Sequence, residues 1–246
     1  MFADFTLLQL SAAALIFIWS GFVRSGLGFG GGALALPLML LVHDQTIFWI
    51  PVIGIHMLFF SVLTLRTRLG NVDWPFLRES APYIVPAAIA GVFGLINLPN
   101  TWLLVFIYSL TLFYAVLWVL DKSIQSRHDW VDKALLVLGG YVSGTSLTGA
   151  PLMVAVFMRR VAVSQLRNTM FVLWFVIVSI KLATLATFRV DLNVPVALVL
   201  IPVAAIGHFL GLKAHDLIMA RDRLFRRVIG GFLIFVCLGG LWQIIA

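Results

Sequence analysis

Charge is what this chain has least of. Only 11% of its 246 residues are Asp, Glu, Lys or Arg, and 62% are hydrophobic. A soluble domain carries roughly 25% charged residues, so a water-soluble fold is excluded and an integral membrane protein is indicated. Cysteine is nearly absent: Cys237 stands alone, which rules out an internal disulfide and a cysteine-based metal site. No Asp or Glu falls inside the long apolar runs and the histidines are scattered, so no nucleophile–base pair or metal cluster is legible. No nucleotide-binding loop is present, and no basic stretch precedes the first apolar run as it would in a signal peptide. The net charge of +7 is spread over the polar connections rather than gathered on one soluble face, which argues against nucleic-acid binding.

What is there is a series of unbroken apolar runs near 20 residues long. They do not alternate, so they predict helices and not a barrel. Spans are expected near 46–65, 81–98, 101–120, 168–188, 194–212 and 228–246, with a polar connector from Asp121 to Lys133. Trp74, Trp102, Trp118, Trp130 and Trp242 sit near span ends, where interfacial anchors belong.

Two stretches do not fit a plain span. Ser25-Gly26-Leu27-Gly28-Phe29-Gly30-Gly31-Gly32 interrupts the apolar run from Phe5 to Val42, and Ser143 to Pro151 interrupts the run from Ala134 to Met158. Each glycine costs a helix about 1 kcal/mol relative to Ala. Exposed main-chain groups survive at membrane depth only when packed in protein or lining a polar cavity.

The stretches are copies. At an offset of 118 positions Gly21 meets Gly139, Ser25 meets Ser143, Gly26 meets Gly144, Gly31 meets Gly149 and Val72-Asp73 meets Val190-Asp191. One residue of slip aligns Ala87-Ala88-Ile89 with Ala204-Ala205-Ile206. This predicts a single membrane domain over 1–246, with a first repeat at 1–120 and a second at 134–246.

Loop charges place the two copies upside down to each other. Arg66, Arg68 and Arg78 follow the second element of the first half, and the next loop is uncharged. In the second half the bias reverses, with Lys213, Arg221, Arg223, Arg226 and Arg227 after the third element. Under the positive-inside rule, matching loops then lie on opposite sides. Inversion needs an odd number of crossings per half, so each broken segment must enter and leave on one side. The expected fold is therefore an all-α polytopic membrane protein of two inverted repeats, each a glycine-broken helical hairpin plus three transmembrane helices. The first hairpin fits less cleanly, because Phe5 to Arg24 is long enough to cross fully.

Gly26-x-Gly28-x-Gly30-Gly31-Gly32 with Pro37-Leu38 behind it, Asn71-Val72-Asp73-Trp74, and the degenerate copy from Ser143-Gly144 to Gly149-x-Pro151-Leu152 resemble the sulfite exporter TauE/SafE family over essentially the whole chain. The resemblance implies a transporter of sulfur-containing anions such as sulfite and organosulfonates, or of other organic acids, with no cofactor and no metal. Ser146, Thr148 and Ala150 stand where the first copy has glycine. The expected partners are a small anion and the lipid bilayer, and the expected location is the plasma membrane, the bacterial inner membrane, in multi-pass form. An anion channel is the alternative, and a membrane-embedded enzyme a more distant one.

The candidate substrate-binding residues are Arg24, Ser25, Gly28, Gly30, Gly31, Ser143, Thr145, Ser146, Thr148, Gly149 and Lys181. Helices starting near Gly31 and Gly149 would turn free N–H groups, which attract anions, toward the membrane midplane. The competing role for the glycines is close helix packing. The hydroxyls can donate to oxyanion oxygens, or can bond the carbonyl of the preceding turn. Lys181 lies in mid-span without a carboxylate in any span to pair it, where a charge costs roughly 2.5–3.5 kcal/mol. A bound anion would balance it, as it would Arg24; snorkelling to the interface is the other reading. His56 and His208 are the candidates for proton coupling, and a plain structural hydrogen bond is the alternative for each. Asp73 and Asp191 are expected to cap the helices that follow them.

Overall fold

A computed structural model of the protein describes residues 5–27 and 31–245. Among the described residues there are ten α-helices and no strand: α1 (Leu7–Leu27), α2 (Gly31–Val42), α3 (Thr46–Leu65), α4 (Trp74–Asn97), α5 (Asn100–Val119), α6 (Asp129–Thr145), α7 (Ala150–Arg160), α8 (Val163–Thr187), α9 (Val194–Ala220) and α10 (Asp222–Ile245). Seven of them, α1, α3, α4, α5, α8, α9 and α10, are long and apolar enough to cross a membrane. The chain is an all-helical, multi-pass membrane protein. Trp74, Trp102, Trp130 and Trp242 are exposed near helix ends.

Both broken segments fold back on themselves. Gln9 Nε2, near the start of α1, donates to the Val42 carbonyl at the end of α2 at 2.9 Å. Arg159, at the end of α7, pairs with Asp129 (2.8 Å) and Asp132 (3.1 Å) in the first turn of α6. In each case the arms run antiparallel and the tip lies at the far end. The trailing arms α2 and α7 have 12 and 11 residues, about 18 and 16 Å at 1.5 Å per residue, too short to cross the ~30 Å hydrocarbon core.

The chain divides into two compact units, each drawing segments from both halves. One comprises residues 1–53, 99–123 and 193–246 and contains α1, α2, α5, α9 and α10. There α1 packs along α9 and α5 along α10. The other comprises residues 54–98 and 124–192 and contains α4, α6, α7 and α8, with α6 packed along α4. The division falls within α3.

Small residues allow these pairings. A Cβ on Gly207 of α9 would lie 1.7 Å from the Ile18 carbonyl oxygen of α1, and one on Gly144 of α6 would lie 2.0 Å from the Ala88 oxygen of α4. No side chain fits at such backbone separations, which is the close approach that small residues permit between membrane helices. Apolar side chains fill the remainder of each unit. Phe76, Ile84, Met153, Phe157, Leu173 and Trp174 form one cluster, and Val23, Leu34, Ile218, Ile229 and Leu233 another.

Helix starts follow local chemistry. The Asp73 carboxylate accepts from the Phe76 amide at 3.0 Å and caps α4, with Pro75 in the first turn. Asp191 does not repeat this. The N-cap of α9 is Asn193, in the left-handed region at φ 50°, a conformation that Asn tolerates better than most residues. Five helices run longer than hydropathy suggests, α8 (from Val163) and α10 (from Asp222) among them. α4 begins at Trp74 and takes in Glu79, α6 begins at Asp129, and α9 continues to Ala220. Helical hydrogen bonding persists past the first charged residue, which hydropathy reads as an end. Asp129 and Asp132 at the N-terminus of α6 also suit the helix dipole.

Candidate functional site

The break between α6 and α7 spans Ser146 to Gly149. α6 ends because Ser146 leaves helical geometry at φ −134°, ψ −131°, while its own N–H still reaches the Val142 carbonyl. Gly149 then caps α7, and Pro151 occupies its first turn. Proline suits that position, where its missing N–H is not needed.

The hydroxyls at this tip have definite partners. Thr145 Oγ1 donates to the Tyr141 carbonyl at 3.0 Å, and Ser146 Oγ donates to that of Val142 at 2.9 Å. Thr148 Oγ1 lies 2.7 Å from Ser146 Oγ, which also accepts from the Thr148 amide at 3.2 Å. With the Ser146 proton on Val142, the Thr148 hydroxyl donates to Ser146. Three of the expected oxyanion donors thus have their protons committed within the tip.

Ser143 differs. It is 3% exposed, and its Oγ makes no hydrogen bond to any described residue. The hydroxyl faces the start of α7, since a Cβ on Gly149 would lie 2.2 Å from it. Buried hydroxyls without partners are uncommon and costly. The first-turn amides of α7, which have no intrahelical acceptor, begin at the same place.

Lys181 reaches this tip from α8. It is fully buried, and its Nζ donates to the main-chain oxygen of Ser146 at 3.1 Å. Snorkelling is therefore not what this side chain does. It makes no ion pair with any described carboxylate. The carbonyl end of a helix carries partial negative charge, and a lysine there is stabilising. An ammonium with one such bond retains two further N–H donors.

The other tip belongs to the other unit. Arg24 and Ser25 are buried near the end of α1, and a Cβ on Gly31 would lie 2.5 Å from Arg24 Cβ. Ser20 Oγ donates to the Gly31 carbonyl at 3.1 Å, tying the arms together. Gly28 and Gly30 lie outside the described residues. Two histidines of α9 meet the end of α1: His208 Nδ1 hydrogen-bonds Ser25 Oγ at 2.5 Å, and His215 Nδ1 lies 2.7 Å from the Gly26 oxygen. A carbonyl only accepts, so His215 donates through Nδ1.

The structure thus gathers Ser143, Thr145, Ser146, Thr148, Gly149 and Lys181 at one tip, and Arg24, Ser25, Gly31 and His208 at the other. His56 is buried on α3, in the second unit. His215 was not singled out from sequence, because Lys213 and Asp216 flank it and end the apolar run. Its signal was the spacing. Seven residues after His208, it falls on the same face of a helix.

The model of the sulfite exporter TauE/SafE family matches residues 13–239 of the chain. No curated protein and no solved structure matches it. With nearly the whole length covered and the multi-pass helical architecture in place, the chain belongs to the sulfite exporter TauE/SafE family of membrane transporters.

Proposed function

We propose that the protein moves a small anion (a sulfur oxyanion such as sulfite, a sulfonate or an organic carboxylate) across the plasma membrane, the bacterial inner membrane. The observation that carries this reading is Lys181. A fully buried side-chain cation bonds a carbonyl and not a described carboxylate, at the tip that also holds the Ser143 hydroxyl, unpartnered among the described residues, and the N-terminus of α7. An anion there would accept from Lys181, Ser143 and the first amides of α7, and would supply the charge that Lys181 lacks. Arg24, Ser25 and Gly31, with Gly28 and Gly30, are the corresponding candidates at the other tip. Alternating access about the two tips would expose the anion to each side in turn. His56 and His208 are the candidate proton carriers. The inverted arrangement of repeats 1–120 and 134–246 is part of the same reading.

The test is a thermal-shift screen of the purified protein against sulfite, thiosulfate, sulfonates and carboxylates. At least one anion is expected to raise the melting temperature in a saturable way. Uptake of that anion into proteoliposomes should saturate and show exchange, which separates a transporter from a channel. No stabilisation by any anion in the panel would remove the reading.

A further inference from the structure

Each broken helix exposes two kinds of main-chain end. The start of the trailing arm offers N–H groups, which suit an anion, and the finish of the leading arm offers carbonyls, which suit a cation. Discontinuous transporter helices use such carbonyls to coordinate a coupling metal ion. In this protein a basic side chain is already there at both tips. Lys181 Nζ donates to the Ser146 carbonyl, just past the end of α6, at 3.1 Å. His215 Nδ1 donates to the Gly26 carbonyl, in the last turn of α1, at 2.7 Å. The two donors come from different elements, α8 and α9. In the repeat register Lys181 corresponds to Leu63, so the two halves reach one arrangement by separate routes.

We infer that Lys181 and His215 are resident caps standing where a coupling metal cation would otherwise bind, so that anion passage through these tips is independent of sodium. An N–H donor and a sodium ion compete for the same carbonyl lone pairs. The hydroxyl oxygens of Ser146 and Thr148, 2.7 Å apart, belong to the same tip, and oxygen ligands of this kind are what a hard cation takes. The transport half of this inference rests on the anion reading above; the occupancy of the carbonyl ends does not.

The test uses the full-length purified protein and two readouts. The first is the melting temperature, without added substrate, in sodium chloride and in N-methyl-D-glucamine chloride of equal ionic strength. The parent is expected to melt at the same temperature in both. Lys181→Met empties the carbonyl end of α6 and is expected to gain a saturable, sodium-specific stabilisation. His215→Ala should do the same at the other tip, whereas His215→Gln, which keeps a donor, should not. A sodium-stabilised parent, or emptied variants that ignore sodium, overturns the inference. Should Lys181→Met fail to fold, the His215 pair decides. The second readout is sulfite uptake by parent proteoliposomes. Rates within twofold in the two media are expected, and a strict sodium requirement overturns the inference. If no sulfite is taken up in either medium, the uptake arm passes to the anion that the thermal-shift panel identifies; if the panel identifies none, the anion reading has failed and the melting arms still decide this one.

Discussion

Ser25 Oγ and His208 Nδ1 are hydrogen-bonded at 2.5 Å, joining the end of α1 to the middle of α9. Sequence reasoning assigns one residue to substrate and the other to proton coupling, and the bond makes them a single element. It also joins a helix of the first half to one of the second.

Separate substitutions distinguish the structural and proton-carrying roles of His208. His208→Leu leaves the buried Ser25 hydroxyl without this partner, which costs about 1–3 kcal/mol and should show as a lower melting temperature. His208→Gln keeps a hydrogen-bonding group and should preserve most of the stability, yet it cannot titrate. If His208 carries protons, the Gln variant loses proton-gradient-driven uptake while retaining exchange. Unchanged gradient-driven uptake would return His208 to a structural role.

Substitution at the tip glycines tests how closely the arms must meet. A Cβ on Gly149 would lie 2.2 Å from Ser143 Oγ and 2.3 Å from the Gly139 carbonyl oxygen. One on Gly31 would lie 2.5 Å from Arg24 Cβ and 2.7 Å from the Ser20 carbonyl oxygen. Valine at either position should abolish transport, but alanine is the sharper probe because it adds a single carbon. Gly149→Ala should cost about 1–3 kcal/mol through overpacking and reduce uptake. Normal uptake and stability in Gly149→Ala would show that the tip relaxes freely.

The base of the second hairpin should be held by charge. Asp132 is buried, accepts from Ser126 Oγ, and pairs with Arg159 across the two arms. Arg159→Met leaves the Asp132 carboxylate with reduced compensation and should destabilise by about 1.5–3 kcal/mol, the range for hydrogen bonds to charged groups. Arg160→Met, which breaks contacts to the more exposed Glu79 and Asp129, should cost no more than about 1 kcal/mol. Chemical denaturation of the two variants checks the order, and equal losses would contradict it.

Topology follows from the basic loops. The segment holding Arg221, Arg223, Arg226 and Arg227 is expected on the cytoplasmic side, and α10 leaves it. A reporter fused after residue 246 should be active outside the cytoplasm and silent within. A cytoplasmic signal would overturn the inverted arrangement.

The sequence alone determined the elements, because what sets them is local. Unbroken apolar length makes α3 a span over Thr46–Leu65, dense polar and glycine residues stop α6 before Ala150, and Asp73 caps α4 from an adjacent position. Where a charge interrupts an apolar run without breaking the helix, as at Lys213, hydropathy stopped early and missed His215. Only the tertiary structure decided what the tip residues do, since their partners come from far along the chain: Lys181 bonds a residue 35 positions away and His215 one 189 away. It also decided that Thr145 and Ser146 donate to the preceding turn while Ser143 does not. All three look alike as hydroxyls in a line of sequence. They separate by where each side chain turns: Thr145 and Ser146 turn back to the Tyr141 and Val142 carbonyls, whereas the Ser143 hydroxyl faces Gly149 at the start of α7.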